Sequence, residues 1–207
     1  IKTLEKDENV WAVGSKCIYP DKTIQHAGVV FGDDKIPFHI YKYFPEIFSA
    51  ANKEKQYKCL TAASLLMRKR DFMNIEGFCE EYVIGYDDVD LWLKIARDGK
   101  KIIYQPQSTL IHYESMSPKR FNFEIKNREL LFSKWKDEIK PDAIEHYYKD
   151  GVIRANGGYI NNIEIQGATK YFDIFATSLI FQGYNVSNGK NKTSKYLCFS
   201  KLSRGKI

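Results

Sequence analysis

A helix that opens on three carboxylates is the feature that most constrains this 207-residue chain. Asp87, Asp88 and Asp90 stand at its start, where acidic side chains suit the positive end of the helix dipole. The dipeptide Asp98-Gly99 then provides a C-terminal cap. Between the two ends lie the apolar residues Leu91, Trp92, Leu93, Ile95 and Ala96. The fold must therefore accommodate a helix with carboxylates at its N-terminus and apolar side chains along its length.

The three acids leave this helix in different directions. At about 100° per residue, Asp88 projects to the same side as Leu91 and Trp92, whereas Asp90 points nearly opposite and Asp87 to one flank. Burying a carboxylate without a partner is costly, so Asp88 is the acid with a candidate functional role. The alternative is that all three are ordinary acids at a helix start.

Composition narrows the class of protein. A net charge of +6 and 43% hydrophobic residues suit one globular domain with an appendage, or two small domains. Lys and Arg are spread along the chain, which argues against a nucleic-acid partner and leaves open an anionic ligand or membrane surface. No apolar run approaches the ~18 residues of a membrane span. The scattered thiols indicate a cytosolic protein, not a zinc site or disulfide framework. They are Cys17, Cys59, Cys79 and Cys198.

Local patterns predict an order of elements. We expect strands at residues 10–14, 16–19, 24–32 and 58–67, and another at 101–104 that ends at Pro106. Besides the acidic helix, we expect helices at 68–75 and 121–136. Residues 35–57 are rich in aromatic side chains and aperiodic, which indicates a surface loop or lid.

A composition shift follows Pro141. Gly and Asn become more frequent, with a possible strand at 159–165 and a possible helix at 171–181. Residues 141–207 carry no readable motif, and we treat them as a C-terminal appendage of unknown role. The first residues are typical of a helix already under way, so we expect the chain to begin inside a domain.

Seven blocks carry a resemblance to a known family. They lie at residues 11–16, 19–21, 24–32, 61–69 and 76–78, and at Gly85-Tyr86-Asp87-Asp88-Val89-Asp90-Leu91 and His112-Tyr113-Glu114-Ser115. In this order, over roughly residues 5–135, the chain resembles the middle of bacterial family-two glycosyltransferases of the rhamnosyltransferase-like kind. The resemblance implies an α/β fold: the C-terminal, acceptor and catalytic half of a GT-A fold, a mixed sheet flanked by helices. Residues 1–140 would be a partial GT-A domain that lacks its nucleotide-binding half.

The resemblance also implies roles for single residues. Asp88 matches the catalytic base of the family, which takes the proton of an acceptor hydroxyl, and Asp87 stands where the family usually has Glu. His112 matches a histidine that reaches a divalent cation, Mn or Mg, on the donor diphosphate. Lys119 and Arg120 lie in a segment that often covers this diphosphate. We also expect Trp92 to belong to the substrate site.

The function so implied is an inverting glycosyltransferase (EC 2.4) that uses a nucleotide-sugar donor and a glycan or lipid-linked acceptor. We expect a cytoplasmic protein, peripheral to the inner membrane at most, and a fragment that is inactive without the missing half. One alternative is a non-catalytic module that binds an acceptor or a partner protein. Another is an unrelated metal-dependent phosphate enzyme that uses Asp87, Asp88, Asp90 and His112 as metal ligands.

Overall fold

A computed structural model describes residues 1–114, 120–155, 162–165 and 185–188. The helices are α1 (Lys2–Lys6), α2 (Lys69–Asn74), α3 (Asp87–Arg97), α4 (Glu124–Trp135) and α5 (Ala143–Lys149). The strands are β1 (Val10–Ile18), β2 (Ile24–His26), β3 (Val29–Phe31), β4 (Pro37–His39), β5 (Lys55–Tyr57), β6 (Leu65–Met67), β7 (Lys101–Ile111), β8 (Ile153–Ala155), β9 (Asn162–Ile165) and β10 (Asn185–Asn188). Short 3₁₀ helices cover Ser49–Asn52, Ala62–Ser64 and Arg120–Phe123.

The main sheet is built around β1. Within the described residues its order is β2-β1-β7-β5, and β6 also pairs with β1. One edge of β1 runs parallel to β7, while the other edge is shared by β6 and β2, both antiparallel. Nearly every residue of β1 is buried, as expected for a strand covered on both faces. The predicted α/β class with a mixed sheet is confirmed.

Strand β7 does not end at Pro106, so that prediction was wrong. Ser15 of β1 pairs with Gln105, but the next residue, Lys16, pairs with Thr109. Residues 106–108 therefore leave the ladder as a bulge, and pairing resumes after them. Proline lacks the N–H that a ladder needs, and a bulge removes it from the ladder without ending the strand. The hydroxyl of Thr109 donates to the Pro106 carbonyl at 2.9 Å and closes this excursion.

Residues 58–67 do not form the single buried strand that their apolar content predicts. Strand β5 ends at Tyr57, the chain turns through Ala62–Ser64, and β6 begins only at Leu65. The Thr61 hydroxyl accepts a hydrogen bond from the Ala63 N–H at 3.3 Å, which stabilises the turn. The apolar pattern of residues 58–67 does not reveal this local capping bond.

The acidic helix and the helices predicted at 68–75 and 121–136 are confirmed, with small changes at their ends. Helix α3 starts at Asp87, and Gly99 follows its end with a φ of +70°, a conformation that favours glycine. Helix α2 lies inside the predicted 68–75, and α4 begins only at Glu124, after the 3₁₀ turn. Leu131 and Trp135 of α4 are buried, whereas Ile125 on the same helix is 66% exposed.

The aromatic segment 35–57 contains β4, a 3₁₀ helix and β5 instead of being wholly irregular. Tyr41 and Phe44 are buried in the core, and their rings meet edge to face. Tyr43 is the exception among these neighbours, because 41% of it is exposed. Most of the aromatic content of this segment is therefore core packing.

Contacts along the chain define two compact units. The first comprises Ile1–Phe31 and Lys35–Pro141, and the second comprises Gly32–Asp34 and the described residues from Asp142 onward. In the second unit β9 pairs antiparallel with β8 and parallel with β10. The possible helix at 171–181 lies outside the described residues. The roles expected for residues 1–140 and 141–207 stay predictions.

No described helix is both long and apolar enough to span a bilayer.

Candidate active site

A cavity of about 730 Å³ opens in the first unit. Its walls come from the N-terminus of α3, the 3₁₀ turn before β6, strand β4 with the residues after it, and the end of β7. Asp87, Asp88 and His112, three of the residues singled out in the sequence, line it together. A cavity of this size can accept a small ligand such as a sugar ring.

The turn before α3 places the N-terminus of this helix at the cavity. Gly85 and Tyr86 both have positive φ, of 84° and 68°, so the chain reverses sharply before Asp87. A non-glycine residue in this conformation is strained and is held there by its surroundings. The holding group is Asn127 of α4, which is fully buried and donates to the carbonyls of Ile84 and Gly85 at 2.9 and 3.1 Å.

The Asp88 carboxylate is half-buried and held by backbone groups. Its Oδ2 accepts from the Ala62 N–H at 3.2 Å, and its Oδ1 accepts from the Val89 N–H at 2.9 Å. These two N–H groups orient the carboxylate in the wall of the cavity. The irregular turn at Ala62, which the sequence did not predict, supplies one of the two donors.

Trp92 is not at the cavity. Its side chain is fully buried, and its indole N–H donates to the Leu60 carbonyl at 2.6 Å. This bond ties the segment leading to Ala62 to helix α3. The structure therefore gives Trp92 a place in the core next to the site, and no surface with which to contact a substrate.

Asp90 was expected to point away from the body of the domain, but it is only 1% exposed. Helix α4 covers that side of α3: the indole N–H of Trp135 donates to Asp90 Oδ1 at 2.7 Å, and the Lys94 ammonium lies 3.3 Å from Oδ2. Asp90 thus joins two helices and does not reach the cavity. Of the three acids and one histidine proposed as ligands of a metal-dependent phosphate enzyme, Asp90 therefore lies apart from the other three.

Histidines form a second wall. His112 lies at the end of β7, and its Nδ1 is 3.1 Å from Oε1 of the buried Gln25. His39 of β4 also lines the cavity, and its Nδ1 lies 2.9 Å from Nδ1 of His26. His26 itself is fully buried behind this wall.

Glu114 lies beside the histidines in the same cavity. Burial alone would raise the pKa of Glu114, but hydrogen bonds from the Tyr19 hydroxyl and the Lys42 ammonium outweigh burial and hold that pKa below its ordinary value. Lys42 lies 2.9 Å from the Glu114 carboxylate. The exposed ring of Tyr43 stacks on Tyr19, with centroids 5.6 Å apart. Charged, hydroxyl-bearing and aromatic groups thus share one wall.

The described residues alone do not form a site for the expected divalent cation. Across residues 1–114 and 120–155, no three His, Cys, Asp or Glu side chains are grouped so that they could hold a metal ion. One ring nitrogen of His112 already faces Gln25. Of the predicted diphosphate contacts, Lys119 and the side chain of Arg120 lie outside the described residues.

Sequence reasoning missed several residues of this cavity. Asn127 gave no signal, because a single polar residue in an amphipathic helix is unremarkable. His39 gave no signal either, because it lies in the aperiodic segment 35–57. Glu114 did carry a signal, because it lies two residues after His112 in the block His-Tyr-Glu-Ser. Lys42 and Tyr43 reach the cavity only through the path of the chain after β4.

Comparison with protein-family models gave no match. Two curated proteins are similar to this chain. An uncharacterized protein, y4gI, of Sinorhizobium fredii is 30% identical over 158 residues, which is 74% of this chain and 17% of that protein. The O-antigen biosynthesis protein RfbC of Myxococcus xanthus is 28% identical over 143 residues, 67% of this chain and 11% of that protein. The chain therefore spans less than a fifth of either relative.

Proposed function

We propose that this chain is the acceptor-side, catalytic half of an inverting glycosyltransferase with a GT-A fold, and that it acts in polysaccharide biosynthesis. The donor is a nucleotide sugar, and the acceptor is a hydroxyl of a glycan or a lipid-linked sugar. The similarity to a protein named for O-antigen biosynthesis supports the polysaccharide role. The proposed site of action is the cytoplasm, with peripheral contact to the inner membrane.

The observation that carries this proposal is the surroundings of Asp88. Its carboxylate lines a cavity of about 730 Å³ together with His112, and backbone N–H groups orient it. A general base must lie within hydrogen-bond reach of the proton that it removes, in a space large enough for the substrate. Asp88 lines such a space, whereas Asp90 is buried between helices and does not.

In the proposed reaction Asp88 takes the proton of the acceptor hydroxyl as the oxygen attacks the anomeric carbon. The new bond joins the acceptor oxygen to that carbon, and the bond from the carbon to the diphosphate oxygen breaks. One displacement inverts the anomeric centre, and the nucleoside diphosphate leaves with the bonding electron pair. Asp87, which lines the same cavity, is a second candidate for contact with the acceptor.

Two further parts of the proposal concern the donor. Lys119 and Arg120 would contact its diphosphate, since cationic donors suit phosphate oxygens. A divalent cation would belong to the complete protein, with His112 as one ligand and the others from other parts of that protein.

Asp88→Asn tests the proposal in the protein at its natural length. The amide can still accept the Ala62 N–H, so the turn before β6 should persist, but it cannot take a proton. We expect kcat for sugar transfer to fall about 10²- to 10⁴-fold, with donor affinity nearly unchanged. Release of nucleoside diphosphate and the mass of the glycosylated product give the rate, and calorimetry with the donor gives the affinity.

Asp98→Asn is the matched control, because Asp98 is an exposed acid at the other end of the same helix. It should transfer sugar at the wild-type rate. If Asp88→Asn kept a rate close to that of Asp98→Asn, Asp88 would not be the base. If no nucleotide sugar were consumed by the wild-type protein with any acceptor tried, the transferase proposal itself would fall.

A further inference from the structure

His26 is a buried histidine whose two ring nitrogens both have partners. Its Nε2 lies 3.4 Å from the backbone N of Thr61, and its Nδ1 lies 2.9 Å from Nδ1 of His39. Burial, and then the charges that His39 and His112 would carry, lower the pKa of His26 well below its ordinary value. The ring is therefore neutral at physiological pH and carries one proton.

The contact with Thr61 determines where that proton is. A backbone N–H can only donate, so the Nε2 of His26 must be the nitrogen with the lone pair. The proton of the neutral ring is then on Nδ1, and it is donated to His39. Nδ1 of His39 must accept it, because two N–H groups cannot point at each other over 2.9 Å.

The same constraint acts on His39. With Nδ1 as acceptor, a neutral His39 carries its proton on Nε2, and a second proton on Nδ1 would oppose the His26 N–H. His39 is half-buried and lines the cavity that contains Asp88. Strand pairing fixes its backbone, since His39 is opposite Val29 in the β3–β4 ladder. Its side chain thus stands in the wall next to Glu114 and Lys42.

We propose that His26 is a positioning residue that holds the proton of His39 on Nε2, so that His39 donates a hydrogen bond from the cavity wall to a hydroxyl oxygen of the acceptor sugar. This inference rests on the proposed function for the identity of the ligand, but the proton placement does not. The sugar hydroxyl that accepts from His39 can donate its own proton to another group. For the neighbouring hydroxyls of the sugar, Glu114 on the same wall offers an acceptor and Lys42 offers a donor. Such a mixed set suits a neutral, polyhydroxylated ring.

Proton placement can be read by NMR without any transfer activity. The 207-residue chain contains four histidines, and the spectrum of His39→Gln identifies the signals of position 39 by their loss. Two-bond ¹H–¹⁵N correlations distinguish Nδ1–H from Nε2–H. We expect the wild-type ring of His39 to be neutral with its proton on Nε2. In His26→Gln the amide can still accept from Thr61 but no longer reaches His39, so both tautomers of His39 should appear.

Sugar binding gives the second measurement, with the methyl glycosides of glucose, galactose and mannose as probes in saturation-transfer NMR titrations. Gln at position 39 places an amide N–H near the Nε2 position, whereas Asn places it near Nδ1. We expect His39→Asn to raise the Kd of the glycoside that binds wild type roughly three- to tenfold, and His39→Gln less than about twofold.

A wild-type His39 with its proton on Nδ1 would overturn the inference, and so would an unchanged tautomer in His26→Gln. Equal affinities for wild type and His39→Asn, or no binding of any of the three glycosides, would remove the sugar contact. These results are distinct from a failure of the transferase proposal, which is decided by transfer in the natural-length protein. If His26→Gln did not fold, the wild-type tautomer and the pair of His39 variants would still decide the question.

Discussion

Two aspartates, two positions apart on one helix, acquire different roles from their surroundings. Asp88 faces a cavity and is held by backbone N–H groups, whereas Asp90 is covered by Trp135 and Lys94. A carboxylate that is buried and paired acts structurally, because removing a partner leaves a charge out of water. The difference lies in what packs on each side of α3, which the order of residues alone does not reveal.

Glu114 gives a prediction about pH. Its pKa in the folded chain lies below the ordinary value of 4.5, because the bonds from Tyr19 and Lys42 outweigh the opposing effect of burial. A depressed folded pKa stabilises the fold above the unfolded pKa, and this contribution is lost as pH falls through the folded pKa. We expect Glu114→Gln to be less stable than wild type at about pH 7, with the difference shrinking below about pH 4.5.

Urea unfolding of both proteins across this pH range measures that difference. Glu129→Gln, which removes an exposed glutamate on α4, is the control and should show little difference at any pH. A difference between wild type and Glu114→Gln that stays constant, or grows, as pH falls would contradict the assignment.

At the scale of elements, α3 and α4 are joined by a buried polar contact between Trp135 and Asp90. Trp135→Phe removes the N–H that donates to Asp90 and leaves that buried carboxylate with the Lys94 ammonium. We expect a loss of about 1–3 kcal/mol in the free energy of unfolding. Urea denaturation gives this value, and a double-mutant cycle with Asp90→Ala separates the N–H contact from the lost ring area.

Ile125→Ala provides the comparison on the same helix, since Ile125 is 66% exposed. Its effect should stay within about 0.5 kcal/mol of wild type. A Trp135→Phe protein as stable as Ile125→Ala would mean that Asp90 does not join the helices.

The helices were easier to predict than the strands. Caps and periodicity are local, so the acidic start and Gly99 were enough to define α3. Strands β5 and β6 and the bulge of β7 depend on partners far along the chain, which a local pattern does not contain. Residues 58–67 therefore looked like one strand although a turn divides them.

The residues of the candidate site also divide into those that a local pattern indicates and those that depend on distant contacts. Asp88 and His112 were found from their position in helix and block, and the structure brings them to one cavity. Asn127, His26 and His39 act through contacts between distant segments, and no spacing in the sequence indicates them. Trp92 lies next to the site but packs in the core instead of facing a substrate. Periodicity predicts which side of a helix is covered, but not which groups cover it.

At the scale of the whole molecule, two buried thiols report whether the first unit opens as one body. Cys17 belongs to β1, and Cys59 lies between β5 and β6; both are fully buried. Burial raises the pKa of Cys17 to about 12, so the reactive thiolate is scarce in the folded chain. Cys79 is partly exposed.

We expect iodoacetamide to modify Cys17 and Cys59 at least about a thousandfold more slowly than Cys79 in the native protein, because modification requires global opening. Mass spectrometry of timed samples gives the rate at each cysteine. The rates at Cys17 and Cys59 should rise with urea along the same slope, and the Cys79→Ser protein should leave both unchanged. Different slopes for the two sites would show that the sheet opens in parts.

The excursion at residues 106–108 determines which side chain stands at the cavity end of β7. With an uninterrupted ladder, Ile18 would pair with Ser108 instead of Ile111, and Thr109 would take the place that His112 now holds. Gain or loss of residues within this excursion would therefore put another side chain in the place of the His112 imidazole. No substitution at the residues that line the cavity would be needed. An evolutionary change of ligand in relatives of this chain would then be recorded as a length difference inside a strand, and not as a substitution.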